Sequence, residues 1–162
     1  MKYPILLILT IACFAFTITD TNGTLTLAGG VKTANANTEV CLDVTTKDFQ
    51  NILSMQYSMK WSPKILEFTR TNAFQLPGTA TQNFGTNKSK DGVLTFSWYD
   101  QNLRGISLPD GSSIYQVCFN VVGTSGQKGY LKFTGQPTSI EIANGYSELL
   151  ELNSVAGIVK IR

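Results

Sequence analysis

The feature that most constrains this chain is strict alternation of apolar and polar residues in two runs within Asp91–Gly123. In the first run the apolar residues recur at every second position: Leu94, Phe96 and Trp98. The second run repeats the pattern: Tyr115, Val117, Phe119 and Val121. A period of two residues indicates a half-buried β-strand. Leu108–Gly111 lies between the runs and ends in Asp-Gly, which gives the backbone the freedom of a tight turn. The stretch therefore predicts two amphipathic strands.

Shorter runs of the same kind occupy much of the remaining sequence. Each is bounded by glycine, proline or small polar residues, and no stretch predicts a helix of more than ten residues. The runs are Leu25–Leu27, 39–46, 53–61, 65–68, 130–134, 140–142 and 155–161. Many short strands separated by turns indicate an all-β sandwich. We predict a nine-stranded antiparallel β-sandwich of the jelly-roll type.

The composition is typical of one ordered domain and shows no concentration of positive charge that would bind a polyanion. The 162 residues are 43% hydrophobic and 15% charged, which is typical of a globular chain. The net charge is +2, and lysine and arginine are scattered along the sequence. No basic run of the kind that binds nucleic acid or an anionic membrane is present in the sequence.

The chain contains no histidine, which removes several classes of enzyme. Ser-His-Asp and Cys-His nucleophile systems and histidine-containing zinc sites cannot be built. Three cysteines are too few for a zinc site of four thiolates. Catalysis would rest on carboxylates, tyrosine or lysine, and nothing singles out a glycosidase pair among the eleven acidic residues. We predict a protein that is not an enzyme and uses no cofactor.

Residues 1–22 have the character of an export segment. Lys2 gives a minimal positive start, and Pro4–Phe16 is an uncharged apolar run too short to span a bilayer comfortably. The expected organisation is a signal peptide over 1–22 and one domain over 23–162, with no membrane span in the mature form. Two alternatives are a lipoprotein signal with Cys13 as the lipidated residue and a retained N-terminal anchor.

Without that segment two cysteines remain, Cys41 and Cys118. An even count in an exported chain is typical of a disulfide. Each cysteine lies on the outward side of an alternating strand, so their sulfurs can meet if the strands are neighbours. The alternative is two free thiols. Either way the pair is structural, because the chain has no Cys-x-x-Cys redox motif.

Two further groups of residues allow a binding or a structural interpretation. Calcium needs six to eight oxygen ligands, and the carboxylates considered for it are Asp91, Asp100 and Asp110. No calcium-loop motif is present, so we interpret them as turn residues and predict no metal site. An aromatic platform for sugar would use Trp61, Trp98 and Tyr99. Both tryptophans fall on the inward side of their strands, which favours core packing.

Several segments, taken in order, resemble a cohesin module. They are Asn37–Val44, Met55–Phe68, Gly92–Trp98, Leu108–Ile114 and Val117–Gly123, and the similarity extends over residues 24–161. The Val-Cys-Leu-Asp-Val and Val-Cys-Phe-Asn-Val runs are most similar to cohesin-like modules of secreted Bacteroidetes surface proteins. The chain departs from the family pattern in two ways: Trp61-Ser62 replaces the usual Tyr-Asp before Pro63, and cellulosomal cohesins generally lack this cysteine pair.

The resemblance implies a nine-stranded jelly roll with a partner-binding face on the outer side of one sheet. Carried over by position, that face consists of Ser54, Gln56, Ser58, Lys60, Thr95, Ser97 and Tyr99. The alternative is that these residues form the solvated side which an antiparallel sheet normally has. Tyrosine is enriched at interfaces, and Tyr99 therefore favours a contact surface.

The expected function is non-covalent binding by a secreted bacterial protein, at the cell surface or in extracellular fibres or matrix. The implied partner is a dockerin-like protein or further copies of this chain, which would associate through sheet edges or the polar segment 17–24. The alternative is a carbohydrate-binding module that retains a polysaccharide. No nucleic-acid partner is expected.

Overall fold

The computed structural model of the protein describes residues 23–162, so the predictions made for 1–22, including Cys13, lie outside the described residues. The described chain contains strands and two short 3₁₀ helices, Thr81–Asn83 and Ser89–Asp91, but no α-helix. The strands are β1 Thr24–Gly29, β2 Val31–Ala34, β3 Glu39–Lys47, β4 Ile52–Lys60, β5 Leu66–Asn72, β6 Phe84–Gly85, β7 Val93–Tyr99, β8 Ser113–Val121, β9 Lys128–Thr134, β10 Glu141–Asn144, β11 Glu151–Val155 and β12 Gly157–Ile161.

The strands form two sheets around one apolar core, which confirms the predicted all-β sandwich. The first, called the disulfide sheet below, has the order β11-β1-β3-β8-β5. The second, called the lysine sheet, has the order β2-β12-β9-β4-β7-β6, and β10 also pairs with β4. The predicted alternation places Leu94, Phe96 and Trp98 of β7 in the core between the sheets.

The number of strands differs from the nine predicted because the structure adds three short strands, β2, β6 and β11, next to the predicted runs. β1 and β2 are separated by Gly30, and β11 and β12 by Ala156; in both cases the chain passes from the disulfide sheet to the lysine sheet. β9 and β10 both pair with β4 but are separated by residues 135–140. The two divided terminal runs lie parallel to each other, so each sheet has one parallel pair and is mixed.

Glycine makes the crossing between the sheets feasible. A Cβ atom on Gly29 would lie 2.6 Å from the Cα of Gly157, and one on Gly157 would lie 2.9 Å from a methyl carbon of Leu42. The first separation is to backbone and is too short for any side chain, whereas the second would require the Leu42 side chain to move. The two terminal runs can therefore pass one another because Gly29 lacks a Cβ.

Two buried tyrosines join the sheets through the core. Tyr57 of β4 and Tyr115 of β8 are hydrogen-bonded through their hydroxyl groups, and the Tyr115 hydroxyl also donates to the sulfur of Met59 at 3.5 Å. Burial raises the pKa of both tyrosines. The raised pKa keeps both phenols neutral. Each hydroxyl has a hydrogen-bond partner, so neither phenol is buried without one.

Cys41 and Cys118 form a disulfide, as the strand positions suggested. They are directly opposite each other on β3 and β8, with Cα atoms 4.0 Å apart. The bridge closes a loop with a sequence separation of 77 residues. It joins neighbouring strands within the disulfide sheet and does not link the two sheets.

Candidate interaction face

The residues predicted to bind a partner lie side by side on the outer side of the lysine sheet. β4 and β7 are antiparallel neighbours, and their register sets Ser54 opposite Tyr99 and Gln56 opposite Ser97. Tyr99 is 60% exposed, and Ser97 is also exposed. The pairing across two strands therefore gathers side chains that lie more than forty residues apart in the sequence.

Ser58 is less accessible than predicted. Its side chain points away from the core, but its exposed fraction is 0%. The segment 135–140 covers it: the Ser58 hydroxyl donates to the carbonyl of Thr138 at 3.2 Å and accepts the Thr138 N–H at 2.9 Å. A partner cannot reach Ser58 without displacing that segment, so the predicted face is divided at this position.

The free edge of β7 is closed by residues 80–85. Asn83 donates its side-chain amide to the carbonyl of Ser97 at 2.8 Å, and β6 pairs with Phe96 and Thr95. A Cβ on Gly85 would lie 2.4 Å from the hydroxyl oxygen of Thr95, so this segment packs directly over that side chain. Thr95 is half-buried as a result, and the accessible part of the face lies toward Tyr99.

Beside Tyr99 the chain turns around a single carboxylate. Asp100 accepts backbone N–H groups from Asn102 at 3.0 Å, Arg104 at 3.0 Å and Gly105 at 3.1 Å. These hydrogen bonds hold the pKa of Asp100 below its usual range. The charged carboxylate fixes the loop that follows β7 and so fixes the end of the strand that carries Tyr99.

Sequence reasoning missed Glu141, which extends the face by one strand. β10 places Glu141 opposite Gln56, in line with Ser97 on the far side of β4. These residues surround a shallow depression of about 140 Å³ together with Ser54 and Tyr99. The run Ile140–Ile142 predicted a strand, and Gln136-Pro137 indicated a turn before it, but the sequence pattern does not show that this strand pairs with β4.

The lysines also have an arrangement that sequence order conceals. Lys60 on β4 is directly opposite Lys132 on β9, and Lys128 on β9 is directly opposite Lys160 on β12. All four are exposed on the outer side of the lysine sheet. Cations that are scattered along the sequence are thus gathered on one surface.

The three aspartates considered for calcium occupy turns. Asp110 accepts the backbone N–H of Asp48 at 2.9 Å, Asp100 holds the loop described above, and Asp91 ends the second 3₁₀ helix. Within residues 23–162 no group of three or more metal-ligating side chains converges. No helix in this part of the chain is long and apolar enough to cross a membrane.

Comparison with known proteins identifies the fold. No family model and no curated protein matches the sequence. The sixth cohesin of scaffoldin B from Acetivibrio cellulolyticus, solved with a dockerin, superposes with a TM-score of 0.72 at 17% identity, over 86% of this chain and 99% of that one. A cohesin of OlpA from Clostridium thermocellum, also solved with a dockerin, gives 0.71 at 16% identity, over 86% and 100%.

A non-cellulosomal cohesin from the archaeon Archaeoglobus fulgidus is also similar, with a TM-score of 0.62 at 22% identity, over 86% of this chain and 92% of that one. The similarity in each case extends over nearly the whole cohesin. The chain therefore has the cohesin fold, which confirms the resemblance found in the sequence.

Proposed function

We propose that this cohesin-fold chain is a non-catalytic interaction module that binds a protein partner through the outer side of the lysine sheet. The observation that carries the proposal is the row of Tyr99, Ser97, Gln56 and Glu141 on three adjacent strands, with Tyr99 exposed beside a fixed loop. Two solved structures with the same fold are complexes with dockerins. A dockerin-like protein is accordingly the first partner to seek.

The outward side of the disulfide sheet fits this role less well. Three of its charged side chains already have partners within the chain: Glu39 is paired with Arg70 at 2.8 Å, and Asp43 with Lys32 of β2 at 3.2 Å. Asp43 also accepts the side-chain amide of Gln116 at 2.7 Å, and these partners lower its pKa. A partner protein would have to break these contacts before making its own.

We place the protein outside the bacterial cell, at the surface or in extracellular material. This placement rests on the export character of residues 1–22 and on the disulfide, which is typical of oxidising compartments. Further copies of the chain are the second partner to consider. Sedimentation velocity at rising concentration distinguishes self-association, which shifts the mass, from binding to a different protein.

The test is affinity capture followed by titration of the purified partner against two matched variants. Ser97→Arg inserts a large cation into the accessible part of the face, and Asn120→Arg does the same at an exposed position of β8 in the disulfide sheet. We expect Ser97→Arg to weaken binding at least tenfold, about 1.4 kcal/mol, and Asn120→Arg to leave it unchanged. Equal loss in both variants, or loss only in Asn120→Arg, would place the interface elsewhere.

A further inference from the structure

The outer side of the lysine sheet also contains a cleft that is not part of the proposed protein interface. The cleft lies where β4 ends beside β9 and has a volume of about 310 Å³. That volume is at the lower end of the range for small-molecule sites in proteins. Its lining combines cationic and apolar side chains: Lys60, Trp61, Ile65, Lys128, Tyr130 and Lys132, together with Ser62.

The lysines of this cleft face one another without a counter-ion. Lys60 and Lys132 are a direct cross-strand pair, and Lys128 forms another with Lys160 of β12. Like charges directly opposite each other on a sheet destabilise it. Neither salt bridge of residues 23–162 involves these four side chains. The surface is thus arranged to attract negative charge, at a cost to the free protein.

The tryptophan beneath the cleft supplies an independent observation. Trp61 is only 7% exposed, it lines the cleft, and its buried indole N–H has no hydrogen-bond partner within the described chain. The other tryptophan behaves differently, because the indole N–H of Trp98 donates to the carbonyl of Pro77 at 2.8 Å. A buried donor without an acceptor is costly, and among the lining residues of the cleft only Trp61 carries such a donor.

Tyr130 gives the cleft an aromatic surface between the two lysine pairs. It is two residues from Lys128 and two from Lys132 on the same side of β9, and it is 41% exposed. Ile158 of β12 is opposite it and extends the apolar strip toward β2. A ring exposed in this way can pack against the C–H face of a sugar, while ammonium groups on either side pair with its anionic substituents.

From these observations we propose that the cleft, with its extension along Lys128 and Lys160, binds an acidic polysaccharide through a uronate residue. The carboxylate accepts hydrogen bonds from the lysines, and the sugar ring packs on Tyr130, in the cleft that Trp61 also lines. The cleft has no carboxylate in its lining, so it provides few acceptors for the hydroxyl groups of a neutral sugar. Lysine is depleted at protein–protein interfaces and arginine enriched, which favours a polymer of spaced charges over a folded protein.

Nuclear magnetic resonance of the ¹⁵N-labelled protein tests the contact directly, because the chain has two tryptophans. On addition of oligogalacturonate we expect the indole N–H signal of Trp61 to shift with saturation, and that of Trp98 to stay in place. Neutral galactose oligomers of the same length are the matched ligand control and should shift neither signal. An unmoved Trp61 signal at millimolar oligogalacturonate overturns the proposal.

Variants then separate this cleft from general electrostatic attraction. Replacing Lys60, Lys128 and Lys132 together by glutamine should weaken oligogalacturonate binding about tenfold or more at low salt, given the modest free energy of each exposed ion pair. Lys47→Gln removes an exposed lysine at the end of β3, in the disulfide sheet, and should have no effect. Tyr130→Phe should retain binding that Tyr130→Ala loses. Thermal melting verifies that each variant is folded.

Two further probes decide the class of polymer. Poly-glutamate presents carboxylates on a peptide, and single-stranded DNA presents phosphates with bases that stack on aromatic rings. Binding of either one as tightly as oligogalacturonate, with the same dependence on Tyr130, overturns the assignment to a polysaccharide. Ser97→Arg, which tests the proposed protein interface, should leave oligogalacturonate binding intact, so the two proposals fail separately.

Discussion

The outer sides of the two sheets use similar residues in different ways. On the disulfide sheet, Glu39, Arg70 and Asp43 have salt-bridge partners, and a disulfide joins β3 to β8. On the lysine sheet, four lysines have no salt bridge within residues 23–162, and two tyrosines, Tyr99 and Tyr130, are exposed. The contrast supports the proposal that the disulfide sheet contributes mainly stability and the lysine sheet contributes binding.

The largest expected effect comes from the disulfide. Replacing both Cys41 and Cys118 by alanine should lower the free energy of unfolding by about 4 kcal/mol, because the unfolded chain loses the closure of a long loop. Urea denaturation measures this, and the reduced wild-type protein should behave like the variant. Oligogalacturonate binding by the folded variant should be unchanged. A loss below about 1 kcal/mol, or a large loss of binding, would contradict the division of roles.

The second-largest loss of stability is expected at Gly29, where the terminal runs cross between the sheets. Gly29→Ala should destabilise the protein by about 1–3 kcal/mol, because its Cβ would lie 2.6 Å from the Cα of Gly157 and the backbone would have to shift. Gly30→Ala is the matched control, since the nearest atom to its Cβ, the carbonyl oxygen of Asp43, is 3.6 Å away. Equal melting temperatures for the two variants would show that the terminal runs do not pass as closely as described.

The loop beside Tyr99 should respond to pH. Asp100 has a lowered pKa when folded, so its stabilising contribution is present above the pKa of the unfolded chain and disappears as pH falls through the folded value. Asp100→Asn should lower the melting temperature by about 2–4 °C at pH 7. The difference between the two melting temperatures should begin to shrink below about pH 3.9, where the unfolded carboxyl titrates, and should disappear below the lower pKa of the folded protein. A constant difference down to pH 2 would contradict this role.

The smallest effects should have opposite signs on the two sheets. Arg70→Met removes an ion pair with Glu39 and should cost about 0.5 kcal/mol at low salt, and less in 0.5 M NaCl. Lys132→Met removes repulsion from the opposite Lys60 and should leave stability unchanged or raise it by about 0.5 kcal/mol. Chemical denaturation of both variants checks the signs. A destabilising Lys132→Met would mean that this lysine has a structural role.

The local residue pattern was sufficient to predict much of the fold. Period-two alternation predicted which side of β4, β7 and β8 faces the core, and it placed Cys41 and Cys118 correctly enough to suggest their bond. It also predicted that both tryptophans are buried. These properties depend on residues close together in the sequence, where the side-chain period of a strand is directly visible.

What the sequence did not show depends on contacts between distant segments. The cover over Ser58 comes from residues 135–140, and Glu141 joins the face only because β10 pairs with β4 after that break. The lysine cluster arises from the register of three strands separated in sequence. Alternation fixes the side on which a residue lies but does not fix which strand becomes its neighbour.

Photo-cross-linking from the two sheets tests most directly which of them binds the partner. A benzophenone amino acid is placed at Ser97 in one protein and at Asn120 in another, both exposed positions, and each is illuminated with the partner captured by the unmodified chain. We predict a covalent adduct from position 97 and none from position 120. Adducts only from position 120 would show that the disulfide sheet binds the partner and that the proposed interface is wrong.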